Sequence, residues 1–127
     1  MNKTTNWASE IIEKLQKGEI VTFNPVGNSM QPLIYSGDEV TVEPITNQVL
    51  YINDIVLVTI TPPYREKEKT YLHLIRNVAQ YTSNEVRYLI ENNKGKINGW
   101  ALKQNIHGRV TDVKHLNKEN LCNQKEN

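Results

Sequence analysis

From residue 19 to residue 113 the chain is a succession of β-branched and aromatic runs, "EIVTFNPV", "DEVTVEPI", "DIVLVTI", "TYLHLIRNV", "EVRYLI" and "IHGRVTDV", separated by turn residues. Between them there is no helical stretch long enough to act as a crossover. Parallel strands need such a crossover, whereas antiparallel strands need only a turn. The six runs therefore predict a mainly β, antiparallel domain.

Ahead of the strands, Trp7, Ile11 and Leu15 recur at four-residue steps with Ala8 and Ile12 beside them, while Glu10, Glu13, Lys14 and Lys17 lie off that stripe. This spacing predicts one short amphipathic helix, capped by Asn6 and stopped at Gly18. Three parts follow: residues 1–18 as a helix packed on the core, 19–113 as the β domain, and 114–127 as a polar, frayed tail. "TPPYREKEK" predicts a projecting hairpin loop, and "NNKGKINGW" a connector whose Trp100 closes the sheet.

Length and charge narrow the functions. A chain of 127 residues is most simply one domain, and 15 Lys+Arg against 14 Asp+Glu leave no basic stripe for a nucleic acid. The lone cysteine, Cys122, has no internal disulfide partner and fits a reducing compartment. No run approaches the roughly 18 apolar residues of a membrane span, and the N-terminus has no signal-peptide apolar core. The expectation is a soluble, cytoplasmic protein. His73, His107 and His115 are too scattered to predict a metal site, and no cofactor is implied.

One segment admits two competing readings. "GNSMQPLIYSGDEV", residues 27–40, places Ser29 between a Gly-Asn turn and Met-x-Pro. A turn serine needs no chemistry to explain it. A nucleophilic serine needs a neighbouring base to take its proton. The question is whether the chain supplies one.

"GNSMQPLIYSGDEVTV", followed by "INDIVLV" and "YLHLIRNV", resembles the peptidase core shared by LexA-like self-cleaving repressors and type I signal peptidases. The resemblance spans about residues 21–113. In that superfamily a Ser-Met sits at a strand-to-turn junction, Gly-Asp opens the next strand, and the base comes from a later strand. Here the second Gly-Asp is Asn53-Asp54. Many members use a lysine as base, and one branch uses a histidine; "TYLHLIRNV" carries His73 and no lysine, so the resemblance implies the Ser-His branch. Lys67 and Lys69 lie upstream in a charged loop where a lysine stays protonated.

In that branch an acidic residue leads an Asn-Asn turn, and Glu91 falls there, followed by Asn92 and Asn93. The resemblance thus implies Ser29 as nucleophile, His73 as general base and Glu91 as its orienting group. The oxyanion would be received by the Ser29 backbone N–H, with Asn28 or the neighbouring Met30 as a second positioning element. Repressors of this kind add a helix-turn-helix domain, for which one helix is too few, and signal peptidases add a membrane anchor. The expectation is a core-only member, a serine endopeptidase acting on a protein or peptide substrate held extended at a strand edge. Two other readings stay open: a catalytically silent peptide- or protein-binding module of the same fold, and a small structural or phage-type accessory protein.

Overall fold

A computed structural model describes residues 7–61 and 67–116. Seven described strands form one antiparallel sheet: β1 (Val21–Phe23), β2 (Glu39–Pro44), β3 (Ile55–Ile60), β4 (Lys69–Gln80), β5 (Val86–Glu91), β6 (Ile97–Leu102) and β7 (Ile106–Lys114). Their spatial order is β1-β2-β7-β3-β4-β5-β6. The mainly β, antiparallel class is thus the observed one, with helix α1 (Ser9–Gln16) ahead of it. Among the described residues no helix is long and apolar enough to cross a membrane.

Each of the six predicted runs holds a strand, and β6 is the addition. It begins in "NNKGKINGW", whose asparagines and glycines disfavour strands in isolation, and runs on through Ala101 to Leu102. Gly99 sits opposite Ile90 with a φ of 145°, beside a register shift at Ile90/Glu91. The strand contains a bulge that glycine can accommodate, which is why its sequence reads as a connector.

Helix α1 buries Ile11 and Leu15 as its stripe requires. It ends in a Schellman motif: the Gly18 N–H donates to the Leu15 carbonyl and the Glu19 N–H to the Lys14 carbonyl, with Gly18 at φ 86°. The Asn6 cap and the central part of the "TPPYREKEK" loop lie outside the described residues, as do Cys122 and the end of the tail. At the other end, β7 runs to Lys114, one residue past the expected boundary, and His115 is anchored on Asp38.

Two apolar clusters lie on opposite faces of the sheet. One joins Ile11 and Leu15 of α1 to Met30, Ile34, Val40, Val42, Leu57, Leu72 and Leu74. The other joins Leu50, Val56, Val58, Ile60, Ile75, Tyr88, Ile90, Ala101 and Ile106. Strand β3 serves both, which explains its unbroken "IVLV": Val56, Leu57 and Val58 are fully buried.

At Gly108, in β7, the chain passes close to both β2 and α1. A Cβ there would stand 2.5 Å from Val42 Cγ1, 2.8 Å from the Glu43 carbonyl oxygen and 3.1 Å from Leu15 Cδ1. Because one of those neighbours is backbone, side-chain rotation alone does not relieve the overlap. Gly108→Ala is expected to cost about 1–3 kcal/mol, read as a lower urea midpoint with an unchanged slope. A midpoint equal to that of the parent protein would contradict this packing.

The same turn introduces β2 and β3. In residues 35–38 the Asp38 N–H donates to the Tyr35 carbonyl, while Asp38 Oδ2 accepts the Tyr35 N–H at 2.7 Å. In residues 51–54 the Asp54 N–H donates to the Tyr51 carbonyl, and Asp54 Oδ2 accepts the Tyr51 N–H at 2.8 Å. The third position has positive φ in both, 89° at Gly37 and 79° at Asn53. Asparagine is among the few residues that tolerate this conformation, so Asn53-Asp54 builds the turn that Gly37-Asp38 builds.

Candidate active site

The first of these turns closes the loop that carries Ser29. Its two ends are cross-braced: the Gly37 N–H donates to the Pro25 carbonyl, the Asn24 amide to the Gly37 and Asp38 carbonyls, and the Gly27 N–H to Ser36 Oγ. Asp38 is fully buried and its Oδ2 also accepts from His115 Nδ1 at 2.6 Å. Within the loop the Leu33 and Ile34 N–H groups both donate to the Met30 carbonyl, making a tight turn whose Met30 and Ile34 side chains enter the core. These anchors leave Ser29 half-buried at the floor of a groove.

His73 arrives from the middle of β4. Its Nε2 lies 3.0 Å from Ser29 Oγ, and its Nδ1 lies 2.6 Å from Asn98 Oδ1. An amide oxygen can only accept, so Nδ1 carries the proton and Nε2 presents a lone pair to the serine hydroxyl. The imidazole is buried and stacks on Tyr71, with ring centroids 5.0 Å apart and planes 28° from parallel. Burial lowers its pKa below the usual 6.5; the Asn98 hydrogen bond opposes this, while Lys69 and Lys96 add to it. At neutral pH the ring is uncharged and able to accept a proton.

Ser29 and His73 are thus brought together, but Glu91 does not orient His73. Its Oε1 accepts from Arg76 Nε at 3.1 Å. The register explains this: Glu91 pairs with Leu74, so its side chain shares the Leu74 face, and consecutive strand residues such as His73 and Leu74 point to opposite faces. The residue that reaches the imidazole is Asn98, placed at the β5/β6 bulge. Nothing in the linear spacing singled out Asn98, because recognising it requires knowing both that β6 is a strand and where it shifts register.

The expected positioning residues, Asn28 and Met30, flank Ser29. Asn28 Oδ1 accepts from the Gln31 side-chain amide at 3.1 Å, which ties the loop to itself. Met30 is buried as an apolar wall. Asn93 contributes more than its turn position suggested: its N–H donates to the Ser29 carbonyl at 2.9 Å and its side-chain amide to the Gln31 carbonyl at 2.9 Å. Asn92, also buried, stiffens the same turn by accepting the Lys94 and Lys96 N–H groups on Oδ1.

The groove has a volume of about 580 Å³, and its lining includes Trp7, Phe23, Val26, Lys69, Leu72 and Lys96 besides Ser29 and His73. Chemically, the arrangement pairs a hydroxyl with a neutral imidazole held by a third side chain, a pairing in which the ring can take the hydroxyl proton. No family model, curated protein or solved structure matches this chain.

Proposed function

We propose that the protein is a cytoplasmic serine endopeptidase of the LexA-like and signal-peptidase kind, cleaving an extended protein segment laid in the groove beside Ser29. The observation that carries this reading is the continuous hydrogen-bonded line from Ser29 Oγ through His73 to Asn98 Oδ1. The Ser-Met-x-Pro and Gly-Asp elements of the sequence support the same reading. An asparagine as third member is chemically adequate, since a Cys-His-Asn constellation performs acyl transfer on another fold.

On this reading the steps are those of acyl transfer. Ser29 Oγ bonds to the scissile carbonyl carbon as its proton passes to His73 Nε2, and the carbonyl oxygen takes up the negative charge near the Ser29 backbone N–H. The tetrahedral species collapses as His73 returns that proton to the departing amine, leaving an ester on Ser29. Water then attacks the ester, giving a proton to His73, and the second tetrahedral species expels Ser29 Oγ, which regains the proton. Asn98 holds the imidazole in the accepting tautomer throughout. Being neutral, it stabilises the imidazolium less than a carboxylate would.

The pairing of β4 supports this use of the groove. Strand β4 pairs with β3 from Lys69 to Leu74 but with β5 only from Leu74 onward. Ile75 exchanges hydrogen bonds with Asn53 and Asp54 on the β3 side, so by alternation Thr70 and Leu72 direct their main-chain groups away from β3, into the groove. An extended segment adds there as a short strand.

The test is cleavage of a peptide library or of denatured proteins, with products read by mass spectrometry. New termini made by the parent protein and absent with Ser29→Ala support the reading. The pH dependence is a further check. The base works only when uncharged, and its pKa lies below 6.5, so kcat/KM is expected to be flat through neutral pH and to fall only below pH 6.5. Stability carries the same sign: unfolded His73 takes up a proton at higher pH than folded His73. Its contribution is complete above 6.5 and declines as pH falls through the lower folded value. An activity limb centred above pH 7 would contradict the assignment of His73 as base.

A further inference from the structure

The groove has two chemically different sides, and they correspond to the two faces of β4. Leu72 lies on the face of the α1-side core with Ile11, Met30 and Ile34, and Trp7 packs against Phe23 at 5.9 Å between ring centroids along the same wall. Tyr71 and His73 point to the opposite face. There Lys69 Nζ sits 5.4 Å from the Tyr71 ring centroid, and Lys96 lines the groove from the β5–β6 turn. Both ammonium groups are close enough to disfavour a charge on His73, and among the described lining residues there is no carboxylate.

A strand added to the edge of β4 that no described strand covers ahead of Leu74 continues the pleat, so its side chains fall alternately on these two faces. From this juxtaposition we infer that the groove selects an extended segment carrying bulky apolar residues at alternate positions with an acidic residue between them. The apolar side chains lie against the wall formed by Trp7, Phe23, Met30 and Leu72. The carboxylate between them faces Lys69 and Lys96. This inference rests on the proposed use of the groove for a peptide and adds the class of peptide it takes.

The test separates recognition from cleavage. Fluorescent peptides of the pattern apolar-acidic-apolar, with the acidic residue replaced by its amide or by lysine, are titrated against the Ser29→Ala variant, which keeps them intact. The acidic peptide is expected to bind at least about tenfold more tightly than the lysine peptide, with the difference shrinking at high salt. Lys69→Glu combined with Lys96→Glu is expected to reverse that order. Equal binding of all three peptides overturns the inference, and so does an order that charge reversal leaves unmoved. Because the peptide replacements are made on one unchanged protein, the result does not depend on how the reversed variant folds. If the acidic peptide is preferred yet the parent protein leaves it uncut, the peptidase reading fails and the inference stands. If the parent protein cuts peptides without regard to this charge, the opposite holds.

Discussion

Ser29→Ala is expected to lower single-turnover cleavage by about 10⁴-fold or more while leaving the cooperative melt unchanged. The hydroxyl is only half-buried and its loop is held by main-chain bonds and by Met30 and Ile34, so the fold has little stake in Oγ. His73→Ala is expected to cost about as much, because an unassisted hydroxyl is a weak nucleophile at neutral pH. The two losses should not add: once the base is gone, removing the nucleophile changes little. Measuring the parent protein, both single variants and the double on one peptide decides the matter. Additive losses would mean that the 3.0 Å contact is not a working pair. Equal rates for all four proteins would return the groove to the role of a binding surface.

The second large effect separates two neighbours in the sheet. Asn98→Ala is expected to reduce turnover by about 10²-fold or more, because the ring then loses the acceptor that fixes its proton on Nδ1. Glu91→Gln is expected to leave turnover within about twofold and to weaken only the partly exposed pair with Arg76, worth at most about 1 kcal/mol. Asn98→Asp is the informative third variant. A carboxylate at that position favours the imidazolium, so the acid limb of the pH profile should move upward, towards or above 6.5. A profile unmoved by Asn98→Asp, or a greater loss from Glu91→Gln than from Asn98→Ala, would overturn the assignment of the third residue.

What was legible in the sequence follows the range over which each signal acts. The six strands and the helix stop are local: alternation, β-branching and a glycine in the left-handed region are visible within a few residues. Ser29 and His73 were legible only through the resemblance carried by Ser-Met-x-Pro and "TYLHLIRNV", since a turn serine or a strand histidine by itself needs no chemistry to explain it. The third member was not. Glu91 stands in the right place along the chain and on the wrong face of the sheet, while Asn98 is brought to His73 by a one-residue shift between β5 and β6. A slip of one position exchanges the two faces of a strand, and sequence spacing cannot register it. The Asn53 departure has the opposite character: the residue differs from the expected glycine, but the φ value that matters is kept.

The hairpin of β5 and β6 touches both halves of the candidate site. Its tip holds the serine loop through Asn93, and its second strand holds the imidazole through Asn98. Ser29 and His73 therefore share one fulcrum, and a fluctuation that lifts the hairpin loosens both together rather than one after the other. Local openings of this kind need less free energy than global unfolding. Hydrogen exchange at the Asn93 amide reports how often its bond to the Ser29 carbonyl opens, and it does so in a protein that has never met a substrate.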